Sequence, residues 1–205
     1  MMKIRPWVVL LILLTIFPGC SQVKEYADIA KDGAVSKAYL DCLEKWTRDR
    51  TVYSQFETRA HITATYKSGE FDRSYLDEYS RIYGLTAEET RQKIEAVGGR
   101  GGDFTEFFFY AYTPEKDSND FARSNSIWKV FITDGTGEKR YPVEIREIED
   151  VTPVVETLFP YVKKYYGKFY SLTFPLMSPL FEDQKATLVF TGVLGKVELS
   201  WGGAG

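Results

Sequence analysis

Histidine and cysteine are scarce in this chain, and their scarcity excludes several kinds of active site. The 205 residues include one histidine, His61, and two cysteines, Cys20 and Cys42. Zinc sites draw several ligands from these residue types, so a zinc-type cluster cannot form from this inventory. A cysteine–histidine nucleophile pair would have to use His61, and no G-x-S-x-G serine motif occurs. We therefore predict no catalytic residues, no cofactor and no metal site.

Positive charge is also in short supply. The chain carries 26 basic and 29 acidic side chains, which gives a formal charge of −3. A nucleic-acid-binding domain presents a basic surface to the phosphate backbone. The composition therefore predicts no nucleic-acid partner, and it offers no general electrostatic attraction to anionic lipid.

The chain has no apolar run long enough to cross a membrane comfortably. The main run, Trp7 to Phe17, is 11 residues long. As a helix it would cover roughly 16 Å, against roughly 30 Å for the hydrocarbon layer of a bilayer. Lys3 and Arg5 precede the run, and Pro18 and Gly19 follow it. A charged start, a short apolar segment and a small residue before a cleavage point are typical of a secretory signal peptide.

The end of that segment, Phe17-Pro18-Gly19-Cys20, resembles the lipobox of bacterial lipoproteins. The resemblance covers residues 1 to about 22, and it departs from the commonest pattern at Phe17, where leucine is usual, and at Pro18, where alanine or serine is usual. It implies cleavage between Gly19 and Cys20 and a lipid, with acyl chains such as palmitate, on the Cys20 thiol. An ordinary secretion signal cut nearby and an uncleaved short anchor are the alternatives.

The resemblance also implies a location and partners. Ser21, rather than aspartate, follows the cysteine, which in this class indicates the outer membrane of a two-membrane organism. We therefore expect a lipid-anchored protein of the cell envelope. Its partners would be membrane lipid, bound through acylated Cys20, and an envelope protein. Removal of residues 1–19 takes Lys3 and Arg5 but no acidic residue, so the formal charge becomes −5.

Lipidation of Cys20 would leave Cys42 without a disulfide partner. Cys42 lies at helical spacing from Tyr39, Leu43 and Trp46, which places it on an apolar stripe. This pattern predicts a buried, unreactive thiol, because a reactive cysteine needs an electropositive and accessible setting.

The sequence as a whole predicts three parts: a signal peptide over residues 1–19, a polar tether over 20–35 and a single domain over 36–205. Short alternating segments separated by turn residues predict a mainly β, α+β fold. An antiparallel β-sandwich is favoured, possibly Ig-like, and an open barrel is the alternative. The predicted elements are a helix over 36–48 capped by Ser36, one long strand over 52–66, a helical pair over about 71–97, and strands over 104–112, 127–133, 139–148, 168–174, 186–191 and 196–201.

Several local signals refine this prediction. Phe71, Asp72 and Leu76 fit a hydrophobic staple at the start of the first paired helix, and Gly84 ends it. Thr86 and Glu89 fit a capping box for the second helix. The strand over 104–112 is apolar on both faces and should be central. Pro142 places its strand at an edge or at a bulge. Residues 151–164 predict a short helix or a turn.

Three segments invite a functional interpretation. The glycine-rich stretch 97–104 lacks the ending of a P-loop and is interpreted as a connector. Asp117, Asn119 and Asp120 could offer oxygens to a cation, but without the calcium-loop spacing they are interpreted as a solvated loop. The segment 161–170 mixes lysines with aromatic residues, which suits contact with a membrane surface or a partner, or else packing in the core.

These observations favour a non-catalytic envelope interaction or assembly module. An alternative is a small-ligand or glycan-binding domain that uses exposed aromatic side chains from Phe104–Tyr112 or Tyr161–Tyr170. A second alternative is an envelope hydrolase with two carboxylates facing each other across a cleft.

Overall fold

The chain folds into three layers. The structure, a computed structural model, describes residues 34–54, 56–92, 104–133, 137–176 and 186–202. In these residues two antiparallel β-sheets face each other, and helices cover the outer face of one sheet. The predicted α+β class and the antiparallel β-sandwich are therefore confirmed.

Nine strands make up the two sheets of the described chain. The five-stranded sheet contains, in spatial order, β1 (Thr47–Ser54), β2 (Glu57–Tyr66), β3 (Phe104–Tyr112), β7 (Lys168–Pro175) and β6 (Glu144–Glu147). The four-stranded sheet contains β5 (Lys139–Arg140), β4 (Trp128–Thr133), β8 (Ala186–Gly192) and β9 (Gly195–Trp201). In an immunoglobulin sandwich the fifth strand lies beside the second. Here β3 lies beside β2, so the strand order is not that of an immunoglobulin domain.

The single strand predicted over Val52–Tyr66 is wrong, because this segment belongs to a hairpin. β1 and β2 pair from Thr47 opposite Thr65 to Ser54 opposite Glu57. A tight turn would normally shift the alternation by one position. A β-bulge between Val52 and Tyr53 restores it, so that the apolar residues keep one parity through both strands. Alternation alone therefore could not reveal the turn.

The strand predicted over 139–148 is also two strands. β5 pairs with β4 in one sheet, whereas β6 pairs with β7 in the other. Pro142 lies between them, where the chain passes from sheet to sheet and where no ladder hydrogen bond is required of it. The remaining predicted strands are confirmed, and β3 is the central strand of its sheet.

Three helices of the outer layer have bounds set by clear capping residues. They are α1 (Lys37–Trp46), α2 (Gly69–Tyr83) and α3 (Pro153–Leu158). Ser36 caps α1 as predicted, since its hydroxyl accepts a hydrogen bond from the Tyr39 N–H. α2 begins earlier than predicted, because Ser68 rather than Asp72 is its N-cap.

The far end of α2 follows the prediction. Gly84 ends the helix in the left-handed region, with φ of 60°. Thr86 and Glu89 form the predicted capping box, with the Thr86 N–H donating to Glu89 Oε2 at 2.8 Å. Residues 87–92 are helical. Ile94, Val97 and most of the glycine-rich stretch lie outside the described residues.

A buried carboxylate joins α1 to α2. Glu78 of α2 accepts hydrogen bonds from the Ser36 N–H and hydroxyl and from Arg81, each at 2.7 Å. Burial alone would raise the pKa of Glu78, but these hydrogen bonds outweigh it and hold the pKa below its usual range. The charge of Glu78 thus stabilises the start of the domain.

The predicted signal peptide, the cleavage site at Gly19 and Cys20 and most of the tether lie outside the described residues. Of the tether, Val35 is buried among the helices, and the Ala34 carbonyl accepts a hydrogen bond from Arg81. Among the described residues, no helix is long and apolar enough to span a bilayer.

Candidate functional site

Several connections between strands meet at one end of the sandwich. They are the β1–β2 turn, the chain leaving β3, the 160–167 turn before β7 and the β8–β9 turn. Register fixes this arrangement, since His61 lies opposite Tyr112 and Ala111 lies opposite Lys168. At this end the outer face of the five-stranded sheet forms an open cavity of about 430 Å³. We call it the tyrosine cleft; it is lined by Thr51, Tyr53, Thr58, His61, Thr63, Tyr110, Tyr112, Tyr161, Lys163 and Tyr166.

The floor of the tyrosine cleft is set by strand register. Thr51, His61 and Tyr112 lie in one cross-strand row, and Thr63 lies opposite Tyr110 in the next. Alternate residues of a strand share a face. Tyr110 and Tyr112 of β3 face the cleft, and the residues that alternate with them, such as Phe109, point to the inner core instead. The floor is therefore made by three adjacent strands, β1, β2 and β3, whose pairing fixes which side chains meet.

The wall of the cleft is the 160–167 turn, and it is fixed to the sheet. The Tyr110 hydroxyl donates to the Lys163 carbonyl at 3.2 Å, and the Tyr161 hydroxyl lies 2.8 Å from Thr65 Oγ1. Gly167 permits this contact: a Cβ there would lie 2.4 Å from the Ala111 carbonyl oxygen. These contacts hold the 160–167 turn against the outer face of the sheet.

His61 is held by threonine hydroxyls on both sides. Its Nδ1 lies 2.8 Å from Thr51 Oγ1, and its Nε2 lies 3.1 Å from Thr63 Oγ1. Burial lowers the pKa of His61, although the charge of Asp49 acts in the opposite direction. The ring is therefore neutral near pH 7, and its contacts with both threonines fix its orientation on the floor.

The tyrosines of the cleft differ in their exposure to solvent. Tyr53 and Tyr166 stand at the rim with 67 % and 71 % of their surface exposed. Tyr110 lies beneath them and is buried. Burial, with a smaller contribution from Tyr112, raises the pKa of Tyr110 to about 12, so its hydroxyl stays protonated and donates. The cleft thus offers flat aromatic rims over a floor of hydroxyl groups.

A second cavity, of about 450 Å³, lies on the other side of Tyr112. Glu57, Glu115 and Arg59 line it. Both glutamates are exposed to solvent. This cavity therefore brings together two carboxylates, as the predicted hydrolase cleft would require.

The remaining candidate residues have structural roles. The Asn119 amide donates to the Ala111 carbonyl, and Asp120 accepts from Ser126 and from the Ile127 N–H. Asn119 and Asp120 are buried, so the interpretation of this segment as a solvated loop is wrong for these two residues. Their oxygens fasten the loop, and no group of metal-ligating side chains occurs among the residues described.

Cys42 lies in the helical layer, partly buried against its apolar residues. Burial raises the pKa of its thiol, a hydrogen bond with Ser74 and the charge of Lys45 lower it, and Glu70 raises it. The net rise keeps the thiol protonated at neutral pH, as expected for an unreactive cysteine.

The two aromatic segments singled out in the sequence meet in the tyrosine cleft. Tyr110 and Tyr112 come from the first segment, and Tyr161 and Tyr166 come from the second. Tyr53 was missed, because its position opposite the start of β2 depends on the hairpin. The sequence carried one signal for Tyr53: it shares the parity of Thr51 and of the polar residues at alternate positions along β2.

No protein-family model, no curated protein and no solved structure matches this chain.

Proposed function

We propose that this chain is a lipid-anchored, non-catalytic protein of the bacterial cell envelope and that it binds a saccharide in the tyrosine cleft. The observation that carries the proposal is the lining of the cleft. Five tyrosines and three threonines surround about 430 Å³ of open space, with no carboxylate among them. That volume is within the range of small-molecule sites.

A saccharide matches this lining chemically. The C–H faces of a sugar ring pack on flat aromatic rings, and its hydroxyl groups exchange hydrogen bonds with other hydroxyls. Tyrosine offers both surfaces in one side chain. Tyr53 and Tyr166 supply exposed rings at the rim, and the protonated hydroxyl of Tyr110 lies on the floor. An interface with a protein partner would be flatter and more apolar at its centre.

The titratable groups of the cleft support binding rather than catalysis. A general base needs a free lone pair and a pKa near the working pH. Both nitrogens of His61 are within hydrogen-bond distance of threonine hydroxyls, and the pKa of Tyr110 is far above neutrality. The pKa of Tyr110 therefore keeps its hydroxyl protonated, and the threonine contacts of His61 hold its ring against the floor of the cleft.

The saccharide proposal is tested by binding measurements on the full chain in detergent. A panel of envelope and environmental oligosaccharides is titrated by calorimetry against wild type, Tyr53→Ala and Tyr166→Ala. We expect each substitution to weaken binding about tenfold, because each removes one stacking surface. Tyr141→Ala is the matched control, since Tyr141 is also an exposed tyrosine, 58 % exposed, but does not line the cleft. Equal loss in the control, or binding of no saccharide, would contradict the proposal.

The lipid anchor is tested separately. Cells that express the chain are fed an alkyne-labelled palmitate, and the purified protein is examined for the label. We expect wild type and Cys42→Ala to carry it and Cys20→Ala to lack it. A label that survives Cys20→Ala, or that is lost in Cys42→Ala, would show that Cys20 is not the acceptor.

The two glutamates of the neighbouring cavity favour a second candidate, a carboxylate-dependent hydrolase. Glu57→Gln and Glu115→Gln should then each abolish turnover of a saccharide that still binds. If reducing sugar is released at the same rate by wild type and by both variants, the hydrolase is excluded and the binding role stands.

A further inference from the structure

A smaller cavity, of about 200 Å³, adjoins the tyrosine cleft, and Tyr166 lines both. Its wall is the 160–167 turn, and its other side is the loop that leaves β3. We call it the lysine pocket; it is lined by Thr113, Lys116, Asn119, Lys164, Tyr165, Tyr166, Gly167 and Lys168. A ligand longer than one ring would pass from one cavity to the other across Tyr166.

The charged side chains that line the lysine pocket are all positive. Three ammonium groups line it, and no acidic side chain does. Lys168 is neutralised in part, since its Nζ lies 2.8 Å from Glu147 Oε2. Lys116 and Lys164 are exposed and form no ion pair with any residue that the structure describes. Nearby Glu156 accepts a hydrogen bond from the backbone N–H of Lys164. Lys116 and Lys164 thus contribute two positive charges that no direct ion pair neutralises, with the Glu156 carboxylate close to Lys164.

This positive charge runs against the composition of the chain. The formal charge is −3 overall, so a cluster of unpaired lysines is a local exception rather than part of a basic surface. Such a cluster selects among ligands by charge at short range, within the Debye length of about 8 Å at physiological salt. It would do little to attract distant polyanions.

The base of the pocket is rigid. Asn119 is buried, and its backbone and side-chain oxygens both accept from the Tyr170 hydroxyl. Gly167 is in close contact with Tyr110 and Ala111. These contacts hold the two segments that carry the lysines beside the cleft, so that an anion would not have to order the backbone there.

We infer that the ligand is a saccharide bearing an anionic group, with a sugar ring on the tyrosines of the cleft and the anion against Lys116 and Lys164. This inference rests on the proposed function and specifies its ligand class. An exposed ammonium–anion contact contributes modestly, so the tyrosines supply most of the affinity and the lysines supply the preference for charge.

The test uses ligand pairs that differ only in charge. The full chain in detergent is titrated with tetragalacturonate and its methyl ester, and with a sulfated galactose oligomer and its unsulfated parent. We expect the charged member of at least one pair to bind roughly fivefold or more tightly. Lys116→Gln with Lys164→Gln should abolish that preference while binding of the neutral member stays unchanged. Lys129→Gln with Lys139→Gln removes the same charge from exposed positions outside the pocket and should preserve it.

The remaining outcomes are distinguishable. If neutral and charged members bind equally in both pairs, the inference is overturned and the saccharide site stands. If no saccharide binds, the proposed function itself fails, and with it the inference. The last measurement uses vesicles of anionic phospholipid. If the vesicles bind wild type but not the Lys116→Gln, Lys164→Gln variant, and no saccharide binds, then the lysine pocket contacts membrane and the inference is wrong.

Discussion

Replacing Gly167 with alanine should displace the 160–167 turn, which forms the wall of the tyrosine cleft, from the sheet. The added Cβ would lie 2.4 Å from the Ala111 carbonyl oxygen and 2.5 Å from Tyr110 Cζ. Real Cβ atoms do not approach other atoms so closely, and the carbonyl belongs to the central strand of the sheet, which cannot move aside. The 160–167 turn must therefore shift outward by about 1 Å, as a packed interior allows little other relief.

The expected cost follows from the two contacts that this shift affects. Overpacking at a fixed site costs about 1–3 kcal/mol. The hydrogen bond from the Tyr110 hydroxyl to the Lys163 carbonyl, already 3.2 Å long, would also be lost, at about 1 kcal/mol. We therefore expect a fall of roughly 2–4 kcal/mol in the free energy of unfolding. Saccharide affinity should fall with it, because Tyr161 and Tyr166 move with the turn.

The assay is chemical denaturation followed by tyrosine and tryptophan fluorescence. Gly69→Ala is the matched control, because a Cβ at Gly69 meets nothing within 4 Å and Gly69 begins α2. That control should leave stability unchanged or raise it by up to about 1 kcal/mol. A Gly167→Ala variant within about 0.5 kcal/mol of wild type, with unchanged binding, would refute the account of how the wall is held.

Three further predictions concern single side chains. Glu78→Gln should lower stability by about 2 kcal/mol at pH 7. The difference should vanish in acid, because a depressed carboxyl pKa gives its full stabilisation above the ordinary value of 4.5 and loses it as the pH falls through the folded pKa. Urea titrations at pH 7 and in acid check this, and a difference independent of pH contradicts it. Phe56 is exposed and has a φ of 70°, in the left-handed region that asparagine adopts more easily than phenylalanine. Phe56→Asn should therefore stabilise the hairpin by about 0.5–1 kcal/mol in thermal unfolding, and a loss of stability would contradict the presence of backbone strain at this position. Tyr170→Phe leaves the oxygens of Asn119 without their donor and should cost about 1–3 kcal/mol by denaturation, whereas exposed Tyr166→Phe should cost nothing measurable.

Much of the secondary structure could be predicted because its causes are local. Ser36, Gly84 and the Thr86–Glu89 pair act within a few residues of themselves, and each does what the sequence predicted. Alternation and turn residues predict most strands after residue 104 for the same reason, although the segment 139–148 is two strands rather than one. The start of α2 was misplaced because Ser68 and Asp72 are both good caps, and only packing of Phe71 into the helical layer selects the first.

The candidate site was predictable only as two separate aromatic segments. Phe104–Tyr112 is aromatic on both faces, so nothing local says which rings are covered. Phe107 and Phe109 lie in the inner core, Phe108 lies under the helices, and Tyr112 is left to line the cleft. The covering depends on where α1, α2 and α3 end on the sheet.

The sequence by itself determined the alternation of most strands, the caps at Ser36, Gly84 and Thr86, the small number of zinc-ligand and nucleophile residues, and the expectation of a lipid anchor at Cys20. These depend on composition and on neighbours along the chain. The tertiary structure alone decided that the strand near Val52 is a hairpin, that the chain changes sheets at Pro142, and that Tyr53, Tyr112 and Tyr166 share one cleft. Each of these depends on register between residues far apart in sequence, which the free energy of burying the whole core selects and no local pattern records.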